Sequence, residues 1–177
     1  MASYDFDAIV IGSGISGGWA AKELTEKGLK VLMLDRGRMV EHRKDYITEG
    51  KGPWQLAYRG NLPPAEVDRD YIMAKWGGAN LTQQTHYYNN DRLNPIDFEN
   101  SKPFRWVRPA QVGGKSLIWG RVALRWSPID FEANKRDGHG SPWPISYDEL
   151  APWYSYVEKY AGIAGSKEGL PQLPDGE

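Results

Sequence analysis

Cysteine is absent from the 177-residue sequence, which excludes disulfides, thiolate nucleophiles and cysteine-held zinc together. Histidine is scarce, with only His42, His86 and His139. Net charge is nearly absent too: 22 Lys+Arg stand against 23 Asp+Glu, a formal −1, which gives no nucleic-acid footprint and no acidic tail. No apolar run approaches the ~18 residues of a membrane span. No charged-then-apolar leader precedes residue 5, so the chain reads as cytoplasmic rather than as a secretory precursor. What the sequence has in quantity is aromatic side chains: 8 Trp, 10 Tyr and 4 Phe. Rings of that size need a core or a ligand to cover them.

The opening 37 residues carry the clearest pattern. Asp7-Ala8-Ile9-Val10-Ile11 is short, apolar and rich in β-branched residues, the pattern of a strand buried on both faces. From Gly14 to Lys27 the period becomes helical, with Trp19, Ala20, Ala21 and Leu24 on one side and Lys22, Glu23, Glu26 and Lys27 on the other. Gly28 ends that helix, and Lys30 to Asp35 reads as a second strand. The fold class is therefore α/β, entered through a βαβ unit over residues 5–37.

Between the first strand and the helix stands Gly12-Ser13-Gly14-Ile15-Ser16-Gly17, a G-x-G-x-x-G turn. The first Gly permits the tight turn, the second lets backbone approach a pyrophosphate, and the third lets helix and strand pack closely. The helix N-terminus adds partial positive charge for phosphates. Asp35 follows Gly17 by 18 positions, near the spacing of an acid that binds a ribose hydroxyl. These residues alone fit FAD or NAD, and Arg36 beside Asp35 also admits the 2′-phosphate of NADP. A nicotinamide-dependent dehydrogenase and a non-catalytic dinucleotide-binding module both remain open at this level.

Residues 38–104 form an insertion punctuated by Pro53, Pro63, Pro64, Pro95 and Pro103, with strand-like pieces near Tyr71–Met73 and His86–Tyr88. A second ordered segment spans 105–130, with Gly113-Gly114 at its bend. Two adjacent glycines remove side chains where backbone passes a flat ligand and expose N–H donors; a glycine bulge in a strand is the plainer alternative. A capping box at Ser146 and Glu149 opens a helical segment over 146–162, which Pro152 should kink or restart.

Gly12 to Gly37 resembles the FAD-binding entry of the glucose-methanol-choline oxidoreductases. Arg108-Pro109-Ala110-Gln111-Val112-Gly113-Gly114-Lys115-Ser116 resembles that family's second flavin motif. Trp119-Gly120-Arg121 and Trp143 to Tyr154 resemble the bacterial branch with gluconate 2-dehydrogenase large subunits and pyranose oxidases.

The resemblance implies a Rossmann-like FAD-binding domain, an incomplete doubly wound sheet with irregular insertions, serving oxidation of a CH–OH group of a sugar, sugar acid or polyol. It assigns cofactor contacts to Gly12, Ser13, Gly14, Ile15, Ser16, Gly17, Asp35, Arg36, Arg108, Gly113, Gly114, Ser116, Trp119, Gly120 and Val122. Backbone at Gly113-Gly114 would run beside the pyrophosphate and isoalloxazine. Pyranose oxidases carry a flavin-linking His where Ile118 stands, so the FAD is expected to be non-covalent. No metal is implied. None of the three histidines lies in a motif that aims a base at a flavin, and the resemblance puts the catalytic base and substrate domain beyond residue 177. The implied partners are that C-terminal part, the small-molecule substrate and an electron-acceptor protein.

Overall fold

The computed structural model describes residues 5–61, 63–65, 88, 95, 97, 99, 101–102 and 108–176. By contacts the chain divides into two units, Met1–Trp119 and Gly120–Glu177. The division falls inside the 105–130 segment.

In the first unit, strand β1 (Ala8–Ile11) is followed by helix α1 (Ile15–Glu26) and strand β2 (Val31–Leu34). The strands pair in parallel, with Ala8 opposite Val31 and Ile11 opposite Leu34. They form the two-stranded sheet of a Rossmann-like α/β unit. Gly12 N–H donates to Leu34 O at 2.7 Å and carries the ladder past the end of β1.

Helix α1 packs close because position 17 is glycine: a Cβ there would stand 1.8 Å from Gly12 O and 3.4 Å from Val10 Cγ1. Val10 faces α1 and is 9% exposed. Side chains alternate across a strand, so Ile9 and Ile11 point the other way. They are 62% and 86% exposed, which corrects the expectation of burial on both faces. One helix covers one face of this sheet, and nothing among the described residues covers the other.

Short 3₁₀ turns follow at Pro53–Gln55 and Ala57–Gly60. About half of the insertion, including Tyr71–Met73, Trp76 and His86, lies outside the described residues, as does Trp106 in the segment that follows. Tyr88 is described and forms an antiparallel bridge with Pro109. A further 3₁₀ turn, Gly114–Leu117, packs on α1.

In the second unit, helix α2 (Pro128–Asp137) begins at Ser127, whose N–H and hydroxyl both donate to Asp130 Oδ2, at 2.7 and 2.9 Å. Helix α3 (Tyr147–Ala161) begins at Ser146, whose hydroxyl accepts from Glu149 N–H at 3.3 Å. The reciprocal bond, Ser146 N–H to Glu149 Oε2, is 2.7 Å. It is the first cause, ahead of the Ser146 hydroxyl, holding the Glu149 carboxyl below the usual range. Pro152 lies inside α3, which runs on through it as one element rather than restarting.

Phe131, 6% exposed, packs with Trp126 and Trp143 at ring centroids of 5.9 and 6.4 Å. Arg125 ties the segment before α2 to α3. Its Nη2 lies 2.6 Å from Glu158 Oε2, and its guanidinium also donates to Ser155 and Tyr147. The Glu158 bond is the main reason its pKa is raised, and the two side chains are only 7% and 13% exposed. No helix among the described residues is long and apolar enough to cross a membrane.

Candidate dinucleotide site

Both glycine motifs line one cavity in the first unit. Its volume is about 520 Å³, and its walls include Gly12, Ser13, Gly14, Asp35, Arg36, Arg108, Gln111 and Gly114. Gly12 (φ +91°) and Gly114 (φ +53°) occupy left-handed conformations, where a side chain would be strained. A Cβ built on Gly114 would stand 3.6 Å from Gly14 Cα, so the two turns face one another. A Cβ on Gly14 would meet no protein atom within 4 Å. Position 14 therefore differs from position 17: its missing side chain leaves open space rather than a helix contact.

The turns are tied by Ser13. Gly113 N–H donates to Ser13 Oγ at 2.9 Å, and the Ser13 hydroxyl donates to Asp35 Oδ2. Ser13 N–H donates to the same carboxylate oxygen at 2.9 Å, and Gly37 N–H donates to Asp35 Oδ1 at 2.8 Å. The Ser13 hydroxyl first, then the Gly37 N–H, holds the Asp35 carboxyl below the usual range, so it is ionised at neutral pH. Oδ2 accepts two of these bonds and Oδ1 one, and an ionised carboxylate has about four acceptor sites, which leaves capacity for a ligand hydroxyl.

The end of β2 is stapled to the second motif. Val112 N–H donates to Arg38 O at 2.9 Å, and Arg38 bridges Gln111 in parallel. This approach requires Gly37, because a Cβ there would stand 2.2 Å from Gln111 Cα. Arg36 and Arg108 bring two positive charges to the cavity wall. Burial first, and then the charge of Arg36, lowers the Arg108 pKa, although a guanidinium stays protonated. Cationic walls, facing glycine turns and an ionised Asp35 fit a diphosphate joined to a ribose.

Among the expected contacts, Gly12, Ser13, Gly14, Asp35, Arg36, Arg108 and Gly114 share this cavity. Ile15 and Ser16 open α1 and are exposed, and Gly17 serves the helix–strand contact. Gly113 holds the turn at φ +95°, and the Ser116 hydroxyl donates to its carbonyl. Trp119 is 41% exposed at the end of the first unit; Gly120 and Val122 belong to the second. Ile11, Leu34, Pro109, Ala110 and Gln111 also line the cavity and were not anticipated. The only signal for Gln111 was a polar side chain immediately before an apolar residue and a glycine pair.

His42 pairs with Glu49 at 3.1 Å on an exposed surface, His139 is exposed, and His86 lies outside the described residues. No cluster of potential metal ligands occurs among the described residues.

No family model matches the chain. The fructose dehydrogenase large subunit of Gluconobacter japonicus is 27% identical over 170 residues, covering 95% of this chain and 29% of that protein. The gluconate 2-dehydrogenase flavoprotein of Pantoea cypripedii is 28% identical over 178 residues, covering 90% and 26% respectively. Protein FixC of Rhizobium meliloti (strain 1021) is 54% identical over 192 aligned positions, covering 98% and 41%. The chain thus spans from about a quarter to two-fifths of the length of these curated relatives.

Proposed function

Because its relatives are FAD-dependent oxidoreductases of the glucose-methanol-choline type, we propose that this chain supplies the dinucleotide-binding part of such an enzyme's flavin site. The observation that carries the proposal is the meeting of both glycine turns over one cavity with Asp35 at its rim. When bound, the flavin supplies a two-electron acceptor for oxidation of a CH–OH group.

The chain's own residues bind and orient. Backbone at Gly12, Gly14 and Gly114 lets the pyrophosphate approach, and the N-terminus of α1 and the Arg36 and Arg108 guanidinium groups balance its charge. Asp35, held ionised by Ser13 and Gly37, accepts from ribose hydroxyls. Ser116 and Trp119 of the same unit are further flavin contacts that the family resemblance implies. Ile118 offers no covalent anchor, so in this reading the cofactor is held non-covalently.

The substrate class is a sugar, sugar acid or polyol, a reading supported by the fructose and gluconate named for two relatives. The remainder of the enzyme supplies the base and substrate pocket, and an electron-acceptor protein completes the turnover. A cytoplasmic setting belongs to the same reading.

The test is to purify the full-length protein and identify the released cofactor by absorbance and chromatography. FAD near one equivalent, with sugar-dependent bleaching of the flavin bands, is expected. An apoprotein that binds NAD or NADP and refuses FAD would overturn the assignment.

A further inference from the structure

Ser13 stands between the two glycines that open the first turn and lines the dinucleotide cavity. The family resemblance assigns it a cofactor contact, but its hydrogen bonds run elsewhere. A hydroxyl has one proton and two lone pairs. The Gly113 N–H can only donate, so Ser13 Oγ accepts from it, at 2.9 Å. An ionised carboxylate can only accept, so the hydroxyl proton goes to Asp35 Oδ2. The Ser13 N–H ends on that same oxygen, at 2.9 Å. Both donors of residue 13 are thus committed to Asp35, and neither is left for a phosphate.

What these bonds hold is an exposed carboxylate just past the end of β2. Ser13 fixes Oδ2, and the Gly37 N–H fixes Oδ1 at 2.8 Å, so the carboxylate cannot swing about its Cβ–Cγ bond without breaking a bond. The bond from Gly113 in turn keeps the Ser13 hydroxyl from rotating away. An exposed side chain left free to rotate loses that freedom when a ligand binds, whereas one already held has little to lose.

We propose that Ser13 is a positioning residue, whose hydroxyl and N–H aim the Asp35 carboxylate at the ribose hydroxyls of the dinucleotide and donate nothing to the ligand. The inference rests on reading Asp35 as the acid that binds the ribose. It separates Ser13 from the neighbouring glycines, which serve the pyrophosphate.

The experiment uses the deflavinated full-length protein and measures, by calorimetry, binding of FAD, ADP and 2′,3′-dideoxy-ADP, which lacks the ribose hydroxyls. Wild type should favour ADP over the dideoxy analogue by about tenfold. In Ser13→Ala that preference should fall to about threefold or less, while affinity for the analogue stays near wild type. Ser13→Thr keeps the hydroxyl and should restore the preference. Ser13→Cys, close in size with only a weak donor, serves if the alanine variant does not fold, and its preference should lie between the two.

A wild-type preference in folded Ser13→Ala or Ser13→Cys, or equal weakening of ADP and its analogue, overturns the proposal and leaves the dinucleotide reading standing. Wild-type protein that binds FAD but is indifferent to the ribose hydroxyls removes Asp35 from the ribose, and the proposal with it. Wild-type protein that binds neither FAD nor ADP overturns the dinucleotide reading as well.

Discussion

Ser13 and Gly113 are 100 residues apart in sequence and share one hydrogen bond, the Gly113 N–H donating to Ser13 Oγ at 2.9 Å. The same hydroxyl donates to Asp35, so one small side chain joins the first glycine turn, the end of β2 and the second glycine turn.

Ser13→Ala removes both bonds, and the expected cost is about 1–2 kcal/mol of stability with weaker FAD retention. The cost depends on pH. Asp35 has a depressed pKa, so its contribution is present above the ordinary carboxylate value, about 3.9, and is lost as pH falls through the depressed one. Denaturant titrations should therefore show a stability gap between wild type and Ser13→Ala at pH 7 that narrows below about pH 4. A gap that is constant across that window would remove Asp35 from the account.

Gly14→Val and Gly17→Val should fail in different ways. A Cβ on Gly14 meets no protein atom, so that variant should fold and lose flavin, because the side chain fills the space for the pyrophosphate. A Cβ on Gly17 stands 1.8 Å from Gly12 O, so that variant should fail to fold. Circular dichroism and flavin absorbance of the two variants check the contrast. Full flavin content in a folded Gly14→Val protein refutes the site.

Flavin should leave the protein on denaturation if, as the resemblance to pyranose oxidases implies, Ile118 stands where their linking His does. Acid precipitation is expected to give a yellow supernatant and a colourless pellet. Fluorescence that stays with the band in a denaturing gel refutes non-covalent binding.

Glu158→Ala leaves the Arg125 guanidinium, 7% exposed, without its carboxylate. The expected destabilisation is about 3–5 kcal/mol, read from denaturant unfolding of the full-length protein. Arg125→Met combined with Glu158→Leu should cost less than Glu158→Ala alone, because no charge is then stranded.

Residues 1–177 expressed by themselves should bind an apolar dye and show no alcohol-oxidising activity. Ile9, Ile11, Trp54 and Val122 are each more than three-fifths exposed, and none of the described histidines lines the cavity. A cooperative melt without dye binding, together with turnover, contradicts this.

The βαβ unit was legible because its signals are local. Gly12, Gly14 and Gly17 each answer a steric demand within a few residues, and Ser146 with Glu149 states its own helix start. Helix α2 was missed although Ser127, Pro128 and Asp130 carry a comparable start signal, because the ordered segment was read only as far as residue 130. The roles of Ser13, Gly37 and Gln111 were not legible. Each depends on a partner dozens of residues away, and local periodicity holds no record of such pairs. Exposure of Ile9 and Ile11 was equally hidden, since a continuous apolar run states what a strand can bury and not what arrives to cover it.

The close passage of Gly37 against Gln111 has a consequence for the order of events during synthesis. The βαβ unit closes within the first 37 residues and can form while the rest of the chain is still in the ribosome. The opposite wall cannot arrive until residues 108–114 have emerged, several seconds later at about 5–20 residues per second. Loop closure over that distance costs more entropy than the local crossover, so the wall assembles second. The nascent chain thus has an early interval in which half a cradle is exposed and no cofactor can be retained, and free FAD supplied at that stage should leave its folding unchanged.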